Sequence, residues 1–249
     1  MKIGILTHHQ VYNEGAYLQA YAQTNILKEF GDVEIADIRF KYSQPENPAF
    51  EKHINKLPLS REKLVTNDYE EAAEFVSKYD VLVVGADEVW KLGGGKYGKP
   101  FPNIYWLHPD LKCKKIAFGA SANRLNYKEL DIKTLDKMGE LLSEFDYLGV
   151  RDNHTLGLLE YLGLKGEKVP DPTIPYVFPQ YKLDIKRPVL ALRLNKKADK
   201  DKRIPPLVRH FKRKGFLVAS ISYRSKHADI HLNLSPLEWA SAFKCFDFC

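Results

Sequence analysis

The residues best suited to chemistry fall in four short segments: Asn13-Glu14-Gly15-Ala16, Asp87-Glu88-Val89-Trp90, Arg151-Asp152 and Asp171-Pro172-Thr173. Asn13 and Gly15 open a helical pattern, where backbone N–H groups without intrahelical partners suit an anion or a sugar hydroxyl. A plain capped turn explains them equally well. Asp87 and Glu88 beside Trp90 suit a sugar, because carboxylates accept from hydroxyls and an aromatic face stacks on C–H groups. Arg151 closes an apolar run; a guanidinium there is costly to bury without an anion, and its planar fork matches phosphate or carboxylate. The competing reading is an internal pair with Asp152 or Asp171. Asp171-Pro172-Thr173 reads first as a hinge turn, with Asp171 facing a cleft.

These segments follow a repeating order of strands and helices. Lys2 to Thr7 is a short apolar strand, and Ala16, Leu18, Ala20, Ala22 and Ile26-Leu27 recur at helical spacing, with Gly31 placed to end the helix. Val33 to Phe40 alternates as a second strand. Lys41 to Val65, with Pro45, Pro48 and Pro58, reads as irregular. Asn67 or Asp68 caps a helix through Tyr79, with Glu70 and Glu71 complementing its dipole. Val81 to Val84 is a β-branched run expected of a strand buried on both faces. Strands at Lys115 to Ser121 and Tyr147 to Arg151 follow, with helices over Leu130 to Phe145 and Thr155 to Leu162. The rhythm argues for a parallel, doubly wound α/β sheet whose ligands bind beyond the strands' carboxyl ends.

From Pro170 the texture changes to a proline-rich linker. A second α/β rhythm follows: a strand over Val189 to Leu194, a helix over Pro206 to Lys214, a strand over Phe216 to Ser222, and a helix from Ser235, where Pro236 and Glu238 complete a capping box. The predicted domains are 1–175 and 188–249, joined by a linker at 176–187. Phe246-Asp247-Phe248-Cys249 stands where the next strand is expected, so the second domain reads as truncated or completed by a partner.

Composition narrows the function classes. The 44% apolar content supports a sizeable core, and no apolar run is long enough for a transmembrane helix. Cys113, Cys245 and Cys249 form no C-x-x-C, which points to a reducing, cytoplasmic setting. Much of the net charge of +6 lies between Lys196 and Lys214, without a nucleic-acid-binding motif around it, so a solvated helix face is expected and a nucleic-acid partner is not. Trp90 and Tyr97 break the P-loop pattern around Gly93-Gly94-Gly95-Lys96, leaving a flexible loop. His227 and His231, four apart, lack a further ligand, so no metal is assigned. Ser121 lacks a nucleophile-elbow context.

Taken in order, Asn13-Glu14-Gly15-Ala16-Tyr17-Leu18-Gln19-Ala20, Gly85-Ala86-Asp87-Glu88-Val89-Trp90, Ala120-Ser121, Val150-Arg151-Asp152 and Asp171-Pro172-Thr173 resemble the motifs of the polysaccharide pyruvyl transferase family. The resemblance implies two Rossmann-like domains of GT-B type with parallel sheets. It also implies transfer of a pyruvyl group from phosphoenolpyruvate to a sugar of a polysaccharide or its precursor, giving a ketal and phosphate without metal or cofactor. Arg151 is implied to hold the donor; Asn13, Gly15, Asp87, Trp90 and Asp171 are assigned to the substrate side. Whether the chain forms a homo-oligomer stays open.

The departures are Glu14 for an aromatic residue, Ala86 for serine and Glu88 for glutamine. The family's general-acid histidine is expected beyond Cys249, so no catalytic residue is assigned and the chain as it stands is expected to be inactive. The alternatives are a GT-B glycosyltransferase using a nucleotide sugar, or a catalytically silent sugar-binding or regulatory module.

Overall fold

A computed structural model of the protein describes residues 1–41, 48–93, 100–180, 182 and 184–249. They form two compact units, Met1–Tyr176 and Val177–Cys249. The expected loop at Gly93-Gly94-Gly95-Lys96 lies, beyond Gly93, outside the described residues.

The first unit is built on a seven-stranded parallel sheet: β1 (Lys2–Leu6), β2 (Asp32–Arg39), β3 (Leu59–Val65), β4 (Val81–Val84), β5 (Lys114–Ala120), β6 (Tyr147–Val150) and β7 (Glu167–Lys168), in the order β3-β2-β1-β4-β5-β6-β7. β1 pairs in parallel with β2 on one side and β4 on the other, so the strand order reverses between β1 and β4. That reversal is the position at which open α/β sheets bind ligands. All four residues of β4 are buried, as its unbroken Val-Leu-Val-Val sequence requires.

Helices α1 (Glu14–Leu27), α2 (Pro48–Ile54), α3 (Tyr69–Val76), α4 (Ile132–Ser143) and α5 (Asn153–Tyr161) connect these strands. Local chemistry sets where several begin. The side chains of Asn13, Asp68, Asp131 and Asp152 accept from N–H groups in the first turns of α1, α3, α4 and α5, removing donors that would otherwise lack partners. The core gathers Leu82, Val84, Trp90, Trp106, Met138, Leu141, Leu142 and Leu158.

Two local expectations are corrected. The segment Lys41 to Val65 contains α2 and the edge strand β3, not irregular chain throughout; residues 42–47 of it lie outside the described set. β3, Leu-Ser-Arg-Glu-Lys-Leu-Val, exposes its charged middle, and such an edge has no apolar alternation to betray it. Gly31 does not end α1, which stops at Leu27. Gly31 instead lets the chain pass Met1, since a Cβ there would collide with the Met1 carbonyl oxygen.

The second unit holds the parallel strands β8 (Val189–Leu192), β9 (Leu217–Ile221) and β10 (Ile230–Leu232), in the order β10-β9-β8, with helices α6 (Ile204–Arg213) and α7 (Pro236–Ala242). Leu190, Leu192, Val208 and Val218 form its core. Ser235 and Glu238 form the expected capping box of α7. Asp247 and Phe248 run beside β8: Ala191 N–H donates to the Phe248 carbonyl at 2.8 Å, and Val189 N–H donates to the Asp247 carboxylate at 2.8 Å.

Candidate functional site

At the carboxyl ends of β4 and β6 the chain brings Asp87, Arg151 and Asp171 together. Arg151 Nη1 lies 3.3 Å from Asp171 Oδ2, and Nη2 lies 3.4 Å from Asp87 Oδ1. Both are longer than the 2.7–2.9 Å of a strong guanidinium–carboxylate bond. The side chains of Arg151, Asp87 and Asp171 remain 22%, 21% and 19% exposed, so water reaches all three. One cation faces two carboxylates, which leaves the cluster with an excess of negative charge. The internal pair anticipated for Arg151 therefore exists with Asp171, while Asp152 serves α5.

Each carboxylate is anchored without Arg151. Glu88 N–H donates to Asp87 Oδ1 at 2.8 Å. Asp171 Oδ1 accepts from Thr173 N–H at 3.0 Å and from Thr173 Oγ1 at 2.6 Å, and Gln19 Nε2 donates to Oδ2 at 2.5 Å. The Asp87 turn is also tied to the end of β5, since Ser121 N–H donates to the Asp87 carbonyl and Trp90 N–H to the Ser121 carbonyl. Its backbone is strained: Asp87 has φ 93°, a region that residues with a Cβ seldom enter outside constrained sites. Gly85 has φ 112°, and a Cβ on it would approach the Phe118 carbonyl oxygen to 2.5 Å.

Around the cluster, burial and nearby charge shift several groups. Burial, with the Asp87 carboxylate adding to it, pushes the Tyr105 hydroxyl well above its ordinary value; that hydroxyl donates to the Thr7 carbonyl. Burial works upward on Asp152, but hydrogen bonds from Ser121 and Thr155 outweigh it and hold the carboxyl below the usual range. Behind the β1 loop, His9 Nε2 lies 2.9 Å from Asp37 Oδ1, and Arg39 bridges Asp37 and Glu51 at 2.8 Å each. Burial alone would raise Asp37; the bonds from His9 and Arg39 prevail and bring it to about 2.

Three assigned site residues are corrected by their surroundings. Trp90 is completely buried, donates Nε1–H to the Tyr105 carbonyl at 2.9 Å and packs on Trp106 and Phe145, so no sugar can stack on it. An indole directly after a buried strand serves the core here because its N–H finds a backbone acceptor. Asn13 and Gly15 are exposed, but the Asn13 carboxamide oxygen already accepts the Gly15 and Ala16 N–H groups at 2.8 and 3.2 Å. The donors expected to meet a ligand at this helix start are spent on the cap.

Sequence reasoning missed Gln19 and Gln23. Gln23 is 1% exposed, and its Oε1 accepts the Ala86 N–H at 2.8 Å, next to Asp87. Polar residues four apart in the apolar stretch Leu-Gln-Ala-Tyr-Ala-Gln were the available signal. In the second unit His231 faces Ser220 Oγ and His227 faces the Asp199 carbonyl. Among the described residues no three His, Cys, Asp or Glu side chains are placed to hold a metal ion, and no helix is long and apolar enough to cross a membrane.

A search of curated proteins returns no match. Among solved structures the chain is similar to Anabaena Alr3699/HepE, crystallised in complex with UDP-glucose, at 10% identity and a TM-score of 0.44, over 89% of this chain and 60% of that one. The chain thus spans less than two thirds of that protein's length. The profile of the polysaccharide pyruvyl transferase family matches residues 13–249, which takes in the Asp87, Arg151 and Asp171 segments together with the second unit. The chain belongs to the polysaccharide pyruvyl transferase family.

Proposed function

We propose that this chain is the phosphoenolpyruvate- and sugar-handling part of a pyruvyl transferase, with residues 1–175 and 188–249 as its domains and 176–187 as their linker. The observation that carries the reading is the way Arg151 is held. Its two contacts are long, and both carboxylates keep other donors when the guanidinium leaves them. Arg151 can therefore turn its fork to the carboxylate or phosphate of the donor without stripping Asp87 or Asp171 of hydrogen bonds. The released carboxylates then accept from the hydroxyls of a sugar.

The chemistry follows from the donor. The methylene carbon of phosphoenolpyruvate takes a proton, which leaves the adjacent carbon electrophilic. One sugar hydroxyl adds to that carbon. A second hydroxyl then replaces the phosphate as the C–O bond to it breaks. One hydroxyl proton balances the new methyl group and the other leaves with phosphate, so the products are a pyruvate ketal and inorganic phosphate. Binding energy at Arg151 fixes the donor for both additions.

Calorimetric titration with phosphoenolpyruvate tests the reading, with Arg151→Lys as control. Saturable binding is expected, weakened by about tenfold in the variant, equivalent to about 1.4 kcal/mol. Incubation of the full-length protein with phosphoenolpyruvate and a panel of sugars, read by phosphate release and ketal mass, tests the transfer. Binding of UDP or GDP in place of phosphoenolpyruvate would overturn the donor assignment.

A further inference from the structure

Asp171 Oδ2 lies between two donors of unequal standing. The Gln19 amide reaches it at 2.5 Å, whereas Arg151 approaches only to 3.3 Å. The amide cannot be reversed, because its carbonyl oxygen would then face a carboxylate. With the NH2 group committed to Asp171, Gln19 Oε1 is left buried and without a hydrogen-bond partner. One helical turn on, Gln23 holds the Ala86 N–H beside Asp87. Residues four apart share a helix face, so one side of α1 holds both strand-end segments that contact Arg151.

We propose that Gln19 is a positioning residue: it keeps Asp171 from closing on Arg151, so that the guanidinium stays loosely held and open to exchange with an anionic ligand. The idea deepens the donor reading above and rests on it for the identity of the ligand. Without the amide, Asp171 Oδ2 has Arg151 as its remaining donor. The pair would shorten toward ordinary guanidinium–carboxylate geometry, and an incoming anion would have to displace a stronger partner.

The test uses the full chain with isotopically labelled arginine, the Arg151 side-chain signal being assigned from its loss in Arg151→Lys. Rotation of the Arg151 Nη groups is measured by NMR in wild type, Gln19→Leu, Asp171→Asn and the double variant. Gln19→Leu is expected to slow that rotation by about threefold or more, and to do nothing once residue 171 is asparagine. Gln19→Met supplies the same loss of donor if the leucine variant folds poorly. Unchanged rotation in Gln19→Leu would overturn the proposal. So would an equal change whether position 171 carries aspartate or asparagine, since a general disturbance of α1 would not depend on the carboxylate there. Phosphoenolpyruvate titration of the same proteins is scored separately. Slowed rotation with no binding in wild type would keep the role of Gln19 and remove the donor reading; binding in wild type with unchanged rotation would do the reverse.

Discussion

The Gln23 carboxamide oxygen accepts the Ala86 N–H at 2.8 Å, which fastens the middle of α1 to the turn that carries Asp87. A buried amide hydrogen beside a strained residue thus has a side-chain partner drawn from a distant element. The site consequently depends on backbone features that lie one or two residues before the side chain that does the contacting.

Gly85 is the first of these. Its φ of 112° and the 2.5 Å approach of the Phe118 oxygen leave no room for a methyl group. Gly85→Ala is expected to destabilise the protein by at least about 2 kcal/mol, through backbone strain and displacement of β5. Denaturant unfolding of the variant measures it. A change under about half a kcal/mol would show that the turn relaxes freely.

Asp37 gives a pH dependence. Its carboxyl falls from the ordinary 3.8 to about 2 in the folded chain, against the upward pull of burial, because His9 and Arg39 bond to its charged form. A depressed carboxyl stabilises the fold fully above the unfolded value and loses that contribution as pH falls from about 4 through about 2. The charge-dependent part comes to about 2 kcal/mol. The gap in unfolding free energy between wild type and Asp37→Asn should therefore be wider at neutral pH than near pH 2. A gap constant with pH would disprove the pairing.

Trp90→Ala removes a fully buried indole and the hydrogen bond it donates to the Tyr105 carbonyl. The expected loss is about 3–5 kcal/mol in stability. Calorimetric melting reads it directly. A variant with an unaltered melting temperature and weakened sugar binding would return the indole to the acceptor side.

Much of the architecture was written in local patterns. The unbroken Val81–Val84 run, the capping residues Asn13, Asp68 and Ser235, and the alternation through Val33 to Phe40 each describe an element by short-range physics, and each element is present. β3 escaped because an edge strand with Arg61, Glu62 and Lys63 exposed obeys solubility, not alternation. At the site, the nearness of Arg151 to Asp171 was legible as one of two readings, since a guanidinium at a strand end needs an anion. The share taken by Asp87 was not, because it depends on how β4 and β6 are ordered in the sheet. Trp90 misled for a related reason. An aromatic residue near carboxylates looks the same in sequence whether its ring faces a ligand or Trp106 and Phe145.

The pairing of Asp247 and Phe248 with β8 bears on how the second unit tolerates being cut or fused. Those residues cover hydrogen-bonding groups of Val189 and Ala191, and the Phe248 ring meets Phe211 and Phe216. Trimming the chain before Phe246 would bare a strand margin and an aromatic cluster at once, a combination that invites other chains to dock there and come out of solution. An affinity handle is better placed at Met1, whose side chain is exposed.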